Sequence, residues 1–128
     1  MSDDAFDLAG TYVQLEDGPG ARPVPVTESF WREIESRADL AEGRLVAVFP
    51  QRESWPIWER HPAGDEIICL LSGAIDLILD EPGGERIIEL RGRVACIVPR
   101  GVWHRAIVQK PGDALFITRG AGTEHRPA

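Results

Sequence analysis

The chain has a single lysine. Of its fourteen basic residues, thirteen are arginine, and Lys110 sits beside a Pro-Gly turn, so chemistry through a lysine Schiff base is not expected. Cysteine is nearly as scarce. Cys69 and Cys96 lie inside apolar segments without CxxC spacing, which excludes a disulfide framework or a zinc finger and leaves two reduced core or interface thiols. Positive charge is also short, with 14 Lys and Arg against 21 Asp and Glu for a formal charge of −7. Such a surface repels phosphates, so neither nucleic acid nor membrane is expected as a partner. No apolar run approaches the roughly 20 residues that span a bilayer. The opening MSDDAFDLAG has neither the positive start nor the apolar core of a signal peptide, and the expectation is a cytoplasmic protein.

At 128 residues the chain is long enough for one domain with a substantial core. It divides into an arm and helix (1–42), a barrel (43–118) and a tail (119–128). GPGARPVPV (18–26) reads as an extended, proline-stiffened arm that adds an edge strand. Thr27 is placed to cap a short helix, TESFWREIESR, with Phe30, Ile34 and Ala38 on one face and a Glu33–Arg37 pair across a turn. From Gly43 the pattern changes to eight short apolar or alternating runs: 44–49, 55–61, 66–71, 74–80, 85–90, 94–99, 102–108 and 114–118. Turn chemistry such as Pro62-Ala-Gly-Asp, Ser72-Gly73 and Glu81-Pro-Gly-Gly separates them. This is the pattern of an all-β antiparallel sandwich or barrel. Ile67-Ile-Cys-Leu-Leu71 is apolar on both faces, so a second layer or a subunit partner is expected outside it.

The stretch WERHPAGDEIICLLSG places charged groups directly before that buried segment. The period of two in a strand puts Glu59 and His61 on one face, Glu66 opens the next strand, and His104 follows a Pro-x-Gly turn. If these four side chains face one interior, two imidazoles and two carboxylates meet there.

Two segments resemble the cupin motifs. His61, four intervening residues, Glu66, six more and Gly73 reproduce the second half of G-x5-H-x-H-x(3,4)-E-x6-G. Pro99-Arg-Gly101-Val-Trp-His104 matches the centre of G-x5-P-x-G-x2-H-x3-N. The resemblance covers 43–118 and implies a double-stranded β-helix, the cupin jelly-roll barrel, with a short N-terminal helix added. Departures are specific: Glu59 stands where the first motif histidine would be, the leading glycine is absent, six residues separate Gly92 from Pro99, and Val108 replaces the closing Asn. The Trp-Glu-x-His-Pro segment and the GTEHRP ending are similar to small bacterial cupins without assigned activity.

Carried over by resemblance, His61, Glu66 and His104 are metal ligands; Glu59, at the first motif-histidine position, is either a fourth ligand or the partner of Arg60 or Arg44 in an exposed salt bridge. Such a set suits one divalent ion, Fe, Mn, Ni or Zn, with positions open for substrate or water. Trp55, Ile57, Ile68, Leu70, Val102 and Ala106 are expected to wall the pocket, whereas Trp58 points to the opposite face. Glu59 has a competing role as catalytic acid or base. Without metal, Glu59 and Glu66 would share a pocket of low dielectric, and one carboxyl pKa should rise. For Arg100, Arg119 and His125 simple solvent exposure is the expectation; the alternatives are a grip on a carboxylate or phosphate for the two arginines, and folding back over the pocket or capping a neighbouring subunit for His125. The reading is a cytoplasmic, homodimeric cupin that holds a divalent metal and a small organic molecule, with oxygenase- or isomerase-type chemistry. Two alternatives stand beside it: a non-catalytic sensing module, and a metal-free barrel using Glu59 and Glu66 as acid and base.

Overall fold

The computed structural model describes residues 4–128. Each of the eight runs forms a strand, and the described residues contain three more. In chain order these are β1 (Thr11–Leu15), β2 (Ala21–Pro25), helix α1 (Phe30–Glu33), β3 (Arg44–Gln51), β4 (Ile57–Arg60), β5 (Glu66–Leu70) and β6 (Ala74–Glu81), then β7 (Gly84–Arg91), β8 (Ala95–Val98), β9 (Trp103–Lys110), β10 (Gly112–Thr118) and β11 (Glu124–Pro127). They build a six-stranded sheet, β2-β1-β3-β10-β5-β8, and a five-stranded sheet, β11-β4-β9-β6-β7, with every pair antiparallel.

Alternation along the strands supplies the core. Ile68, Leu70, Val98, Ala114 and Phe116 from the larger sheet meet Ile75, Leu77, Leu79, Leu90 and Ala106 from the smaller one, each at most 5% exposed. Full burial of the Ile, Leu, Val and Phe side chains among them contributes about 1.5–3 kcal/mol each. Gly73 makes the β5–β6 corner at φ +82°, where a Cβ would lie 2.5 Å from the Lys110 carbonyl oxygen. Only glycine fits a backbone approach that close. A second cluster, Tyr12, Val24, Phe30 and Ala47, packs the N-terminal segment onto the larger sheet.

The helix is much shorter than the sequence pattern predicts. α1 is a single turn, followed by 3₁₀ turns at Ile34–Ser36 and Ala38–Leu40. Thr27 does not cap it: the preceding residue is Ser29, with no side-chain cap bond. Arg37 turns away from Glu33 and binds Asp39 through two donors at 2.9 and 2.7 Å. Packing decides the outcome, because Phe30 and Trp31 both stack on Tyr12 and Ala38 is left exposed. Without its third apolar position the periodic stripe has nothing to lengthen it.

β2 is the outer strand of its sheet, as the proline-stiffened arm predicts. β1 and β11 fall in the arm and the tail, outside the eight runs that the sequence pattern marks as strands. Among the described residues no third layer covers the outer face of β5. Its outward Ile67 lies in a cross-strand row with Val13, Val46, Ile117 and Ile97, and Ile97 is 61% exposed. Cys69 and Cys96 are free. Burial and the nearby Glu66 charge push the Cys96 thiol up to about 11, so it stays protonated and inert at neutral pH. No helix among the described residues is long and apolar enough to cross a membrane.

Candidate metal centre

Backbone ties bring the two motif segments together. Gly101 N–H donates to the His61 carbonyl at 3.0 Å, and Arg100 N–H donates to the Asp65 carboxylate at 2.8 Å. The Pro-x-Gly turn is thereby clamped onto the turn that follows β4. Glu59 then pairs with His104 across β4 and β9. On the far side, the Trp55 carbonyl accepts two bonds from the Arg105 guanidinium at 3.1 and 2.9 Å, and Trp55 N–H donates to the Ala106 carbonyl at 2.9 Å.

The result is a convergence of Glu59, His61, Glu66 and His104, with one ligand-type atom from each lying within 4.8 Å of all the others. Glu66 is central. One of its oxygens is 3.1 Å from His104 Nε2, and the other is 3.1 Å from His61 Nε2 and accepts from the Thr118 hydroxyl at 2.5 Å. Glu59 completes the group at 3.0 Å from His61 Nε2. His61, Glu66 and His104 are buried, at 5%, 2% and 0% exposure.

The tautomers follow from the partners of the other ring nitrogens. His104 Nδ1 is 3.0 Å from the Val102 carbonyl, which can only accept, so Nδ1 carries the proton. His61 Nδ1 is 2.8 Å from the Thr123 hydroxyl, which itself donates to the Gly120 carbonyl at 2.8 Å and therefore accepts from His61. In the neutral form of either ring, Nε2 is then the nitrogen with the lone pair, and it is the one that faces the carboxylates. His61 Nε2, His104 Nε2 and Glu66 Oε1 are buried without a well-directed hydrogen bond. Buried polar groups are otherwise nearly always satisfied. Two imidazole lone pairs and two carboxylates form a donor set that fits a divalent cation.

The same four groups compete for a proton. Burial alone would depress the His61 pKa, but the Glu59 and Glu66 carboxylates at its Nε2 outweigh this and raise it to about 9. Burial would lift Glu66, yet His104 and His61 hold it down to about 2. Glu59 is likewise held below its ordinary value, against both burial and the Glu66 charge, by His61 and His125. The sequence-based expectation that one carboxyl pKa rises is therefore corrected: the imidazole takes the proton and neither carboxyl does.

A cavity of about 1170 Å³ opens beside the cluster. Trp55 and Ile57 line it, with Leu45, Phe49, Phe116 and Trp31 further along. Ile68, Leu70 and Ala106 belong to the core between the sheets, and Val102 packs against that core; none of these four lines the cavity. The lining also takes in Ile34 and Leu40 from the 3₁₀ turns, Ala47 from β3 and Thr118 from β10. Trp58 and Trp103 are on the outer face, with Arg126 stacked over both rings at 5.3 and 4.6 Å. Arg119 pairs with Asp17 at 2.7 Å.

Three further contributors lie outside the two motifs: Thr118, and Thr123 and His125 of the GTEHRP ending. The exposure expected for His125 is half met. Its side chain is 49% exposed, but Nε2 is 2.9 Å from the second Glu59 oxygen.

A two-sheet antiparallel barrel with two histidines and two carboxylates in its mouth defines a double-stranded β-helix protein with a candidate metal centre. Among solved structures the chain is similar to a cupin-2 domain protein from Shewanella frigidimarina, at 15% identity and TM-score 0.50 over 66% of this chain and 71% of that one. It is similar to a mutant of the Bacillus subtilis oxalate decarboxylase, at 16% identity and TM-score 0.55 over 66% of this chain and 23% of that one. A hydroquinone 1,2-dioxygenase in complex with Cd²⁺ and 4-hydroxybenzonitrile matches at 18% identity and TM-score 0.50, over 59% of this chain and 56% of that one. No protein-family model and no curated protein matches the sequence. The chain has the cupin fold.

Proposed function

We propose that this protein holds one divalent metal ion on Glu59, His61, Glu66 and His104 and acts on a small organic molecule with an apolar ring or body. The observation that carries the reading is the pair of buried Nε2 atoms set 3.0–3.1 Å from two carboxylates without a well-directed hydrogen bond. A bound divalent ion would supply Lewis-acid polarisation of a ligand oxygen, or electron exchange if it is Fe or Mn. Two carboxylates balance its charge, so the loaded centre is neutral and gives little pull on a multiply charged anion. Trp55, Phe116, Phe49 and Trp31 form a continuous run of ring contacts at 6.1, 5.3 and 5.6 Å. This wall offers apolar area and few hydrogen-bonding groups, which favours a ring compound over a sugar. The residues themselves bind, orient and exclude water, and Glu59, the most exposed of the four, is the one placed to take or give a proton at the cavity mouth.

Metal analysis of protein purified without chelator, and after reconstitution with Mn²⁺, Fe²⁺, Ni²⁺ or Zn²⁺, tests the reading. About one ion per chain is expected, and a chain that takes up none of them ends it.

A homodimer through the outer row of the larger sheet is part of the same proposal. In a chain of net charge −7, the row of Val13, Val46, Ile117, Ile67 and Ile97 carries no charge, so two copies meet there without like-charge repulsion. Ile97→Lys, a change on an exposed side chain, should convert the dimer to monomer in light scattering at unchanged fold. A wild-type monomer at high concentration would rule out the interface.

A further inference from the structure

We infer that the segment Gly120–Pro127 completes the metal centre, with Thr123 and His125 as positioning residues that fix the donor atoms of His61 and Glu59. This rests on the proposed metal site and says how the chain preorganises it. β11 pairs with β4 in the register His125 to Glu59 and Glu124 to Arg60. Alternation then divides the strand's work. Thr123 and His125 face the cavity and are among its lining residues. Glu124 and Arg126 face outward, where Arg60 binds Glu124 at 2.8 Å and Arg126 binds Asp80 at 2.5 Å. The outer ion pairs and the Arg126 stacks on Trp58 and Trp103 pin the strand's register from outside the barrel.

On the inner side each contact restricts one donor. The relay from His61 Nδ1 to Thr123 and on to the Gly120 carbonyl holds the ring so that Nε2 faces Glu66 and Glu59. The His125 contact to one Glu59 oxygen leaves the other directed at His61 Nε2. A ligand whose far side is tied in this way keeps its tautomer and orientation before any ion arrives. His104 has an equivalent tie in the Val102 carbonyl and Glu66 has one in Thr118, so every member of the cluster has a tether, two of them from the last nine residues.

The test uses the full chain and Co²⁺ as probe, read by calorimetry and by visible absorption, which reports ligand geometry. Thr123→Val, nearly isosteric, should weaken Co²⁺ binding by about 10- to 100-fold and shift the absorption band, while Thr123→Ser restores both. His125→Ala should weaken binding several-fold, with rescue by His125→Gln, whose amide keeps a donor near the Glu59 oxygen. Wild-type affinity and spectrum in both Thr123→Val and His125→Ala would overturn the inference. If the wild-type protein takes up no metal, the function proposal fails, and the metal-free protein still decides this one by NMR. A downfield, slowly exchanging His61 Nδ1–H should be present in wild type and Thr123→Ser and absent in Thr123→Val. Its persistence in Thr123→Val would overturn the positioning role by itself.

Discussion

Glu66→Gln should lose metal retention almost completely while the barrel stays folded. The substitution preserves shape, and the amide oxygen can still accept the Thr118 hydroxyl, now at 2.5 Å from the carboxylate. What disappears is the one anion that contacts both imidazoles, through separate oxygens at 3.1 Å each. Outer-shell changes typically lower metal affinity 10- to 100-fold; removing the central charged donor from a site this buried should exceed that, at about a thousandfold or about 4 kcal/mol. The fold survives because the metal-free cluster has another response. With Glu66 neutral, burial acts on His61 against one carboxylate instead of two, and the ring can release its proton instead of remaining a stranded charge. His104→Ala should likewise abolish retention by removing a lone pair with no substitute. Metal content by elemental analysis, alongside circular dichroism, checks both variants. Full occupancy in either would show that the assigned donors do not hold the ion.

The barrel was legible because its strands obey the simplest pattern available, apolar alternation interrupted by glycine and proline turns. The same rule explains why the four donors fall together. Glu59 and His61 share a face by parity, Glu66 begins a strand whose next inward residues are Ile68 and Leu70, and His104 sits on the inward parity of β9. The pocket wall was not legible in the same way. Ile68, Leu70 and Ala106 have the right parity but lie one layer too deep, and parity says nothing about how far along the barrel a cavity begins. Nor could local pattern reveal β11. GTEHRP has glycine, charge and proline, all turn chemistry, and becomes a strand because β4 offers a free edge and Arg60 and Asp80 offer partners. Thr118 and Thr123 therefore belong to the class of residue that sequence reading misses, and the sequence could not choose for His125 between exposure and folding back over the pocket: what matters is what lies opposite them after folding. The helix fails for the converse reason. Its stripe was real at Phe30 and Ile34, but a one-turn segment clamped by Tyr12 and Arg37–Asp39 contacts had no surface on which to continue.

The metal-free and metal-loaded proteins should diverge in stability as pH rises from about 6.5 to 9. In the metal-free chain, His61 has a folded-state pKa of about 9 against an ordinary 6.5. A raised value means the folded state binds the proton more tightly, so this stabilisation is full below pH 6.5 and is lost as pH climbs through 9. Glu66 runs the other way. Its folded-state value of about 2, against an ordinary 4.5, gives stabilisation that is full above pH 4.5 and is lost as pH falls toward 2. The metal-free protein should therefore be most stable between these limbs, near pH 4.5–6.5, and should lose on the order of 2–3 kcal/mol along the alkaline one. The loaded protein has no such limb, because a metal on Nε2 has already displaced the His61 proton. The same displacement makes binding a competition: one proton leaves per ion, and apparent affinity should rise about tenfold per pH unit up to pH 9. Denaturant midpoints with and without Zn²⁺ across pH 5–9, together with calorimetry in buffers of different ionisation enthalpy, measure both effects. A metal-free midpoint that stays flat through pH 9, with no proton released on binding, would show that His61 is not the group whose lone pair the ion takes.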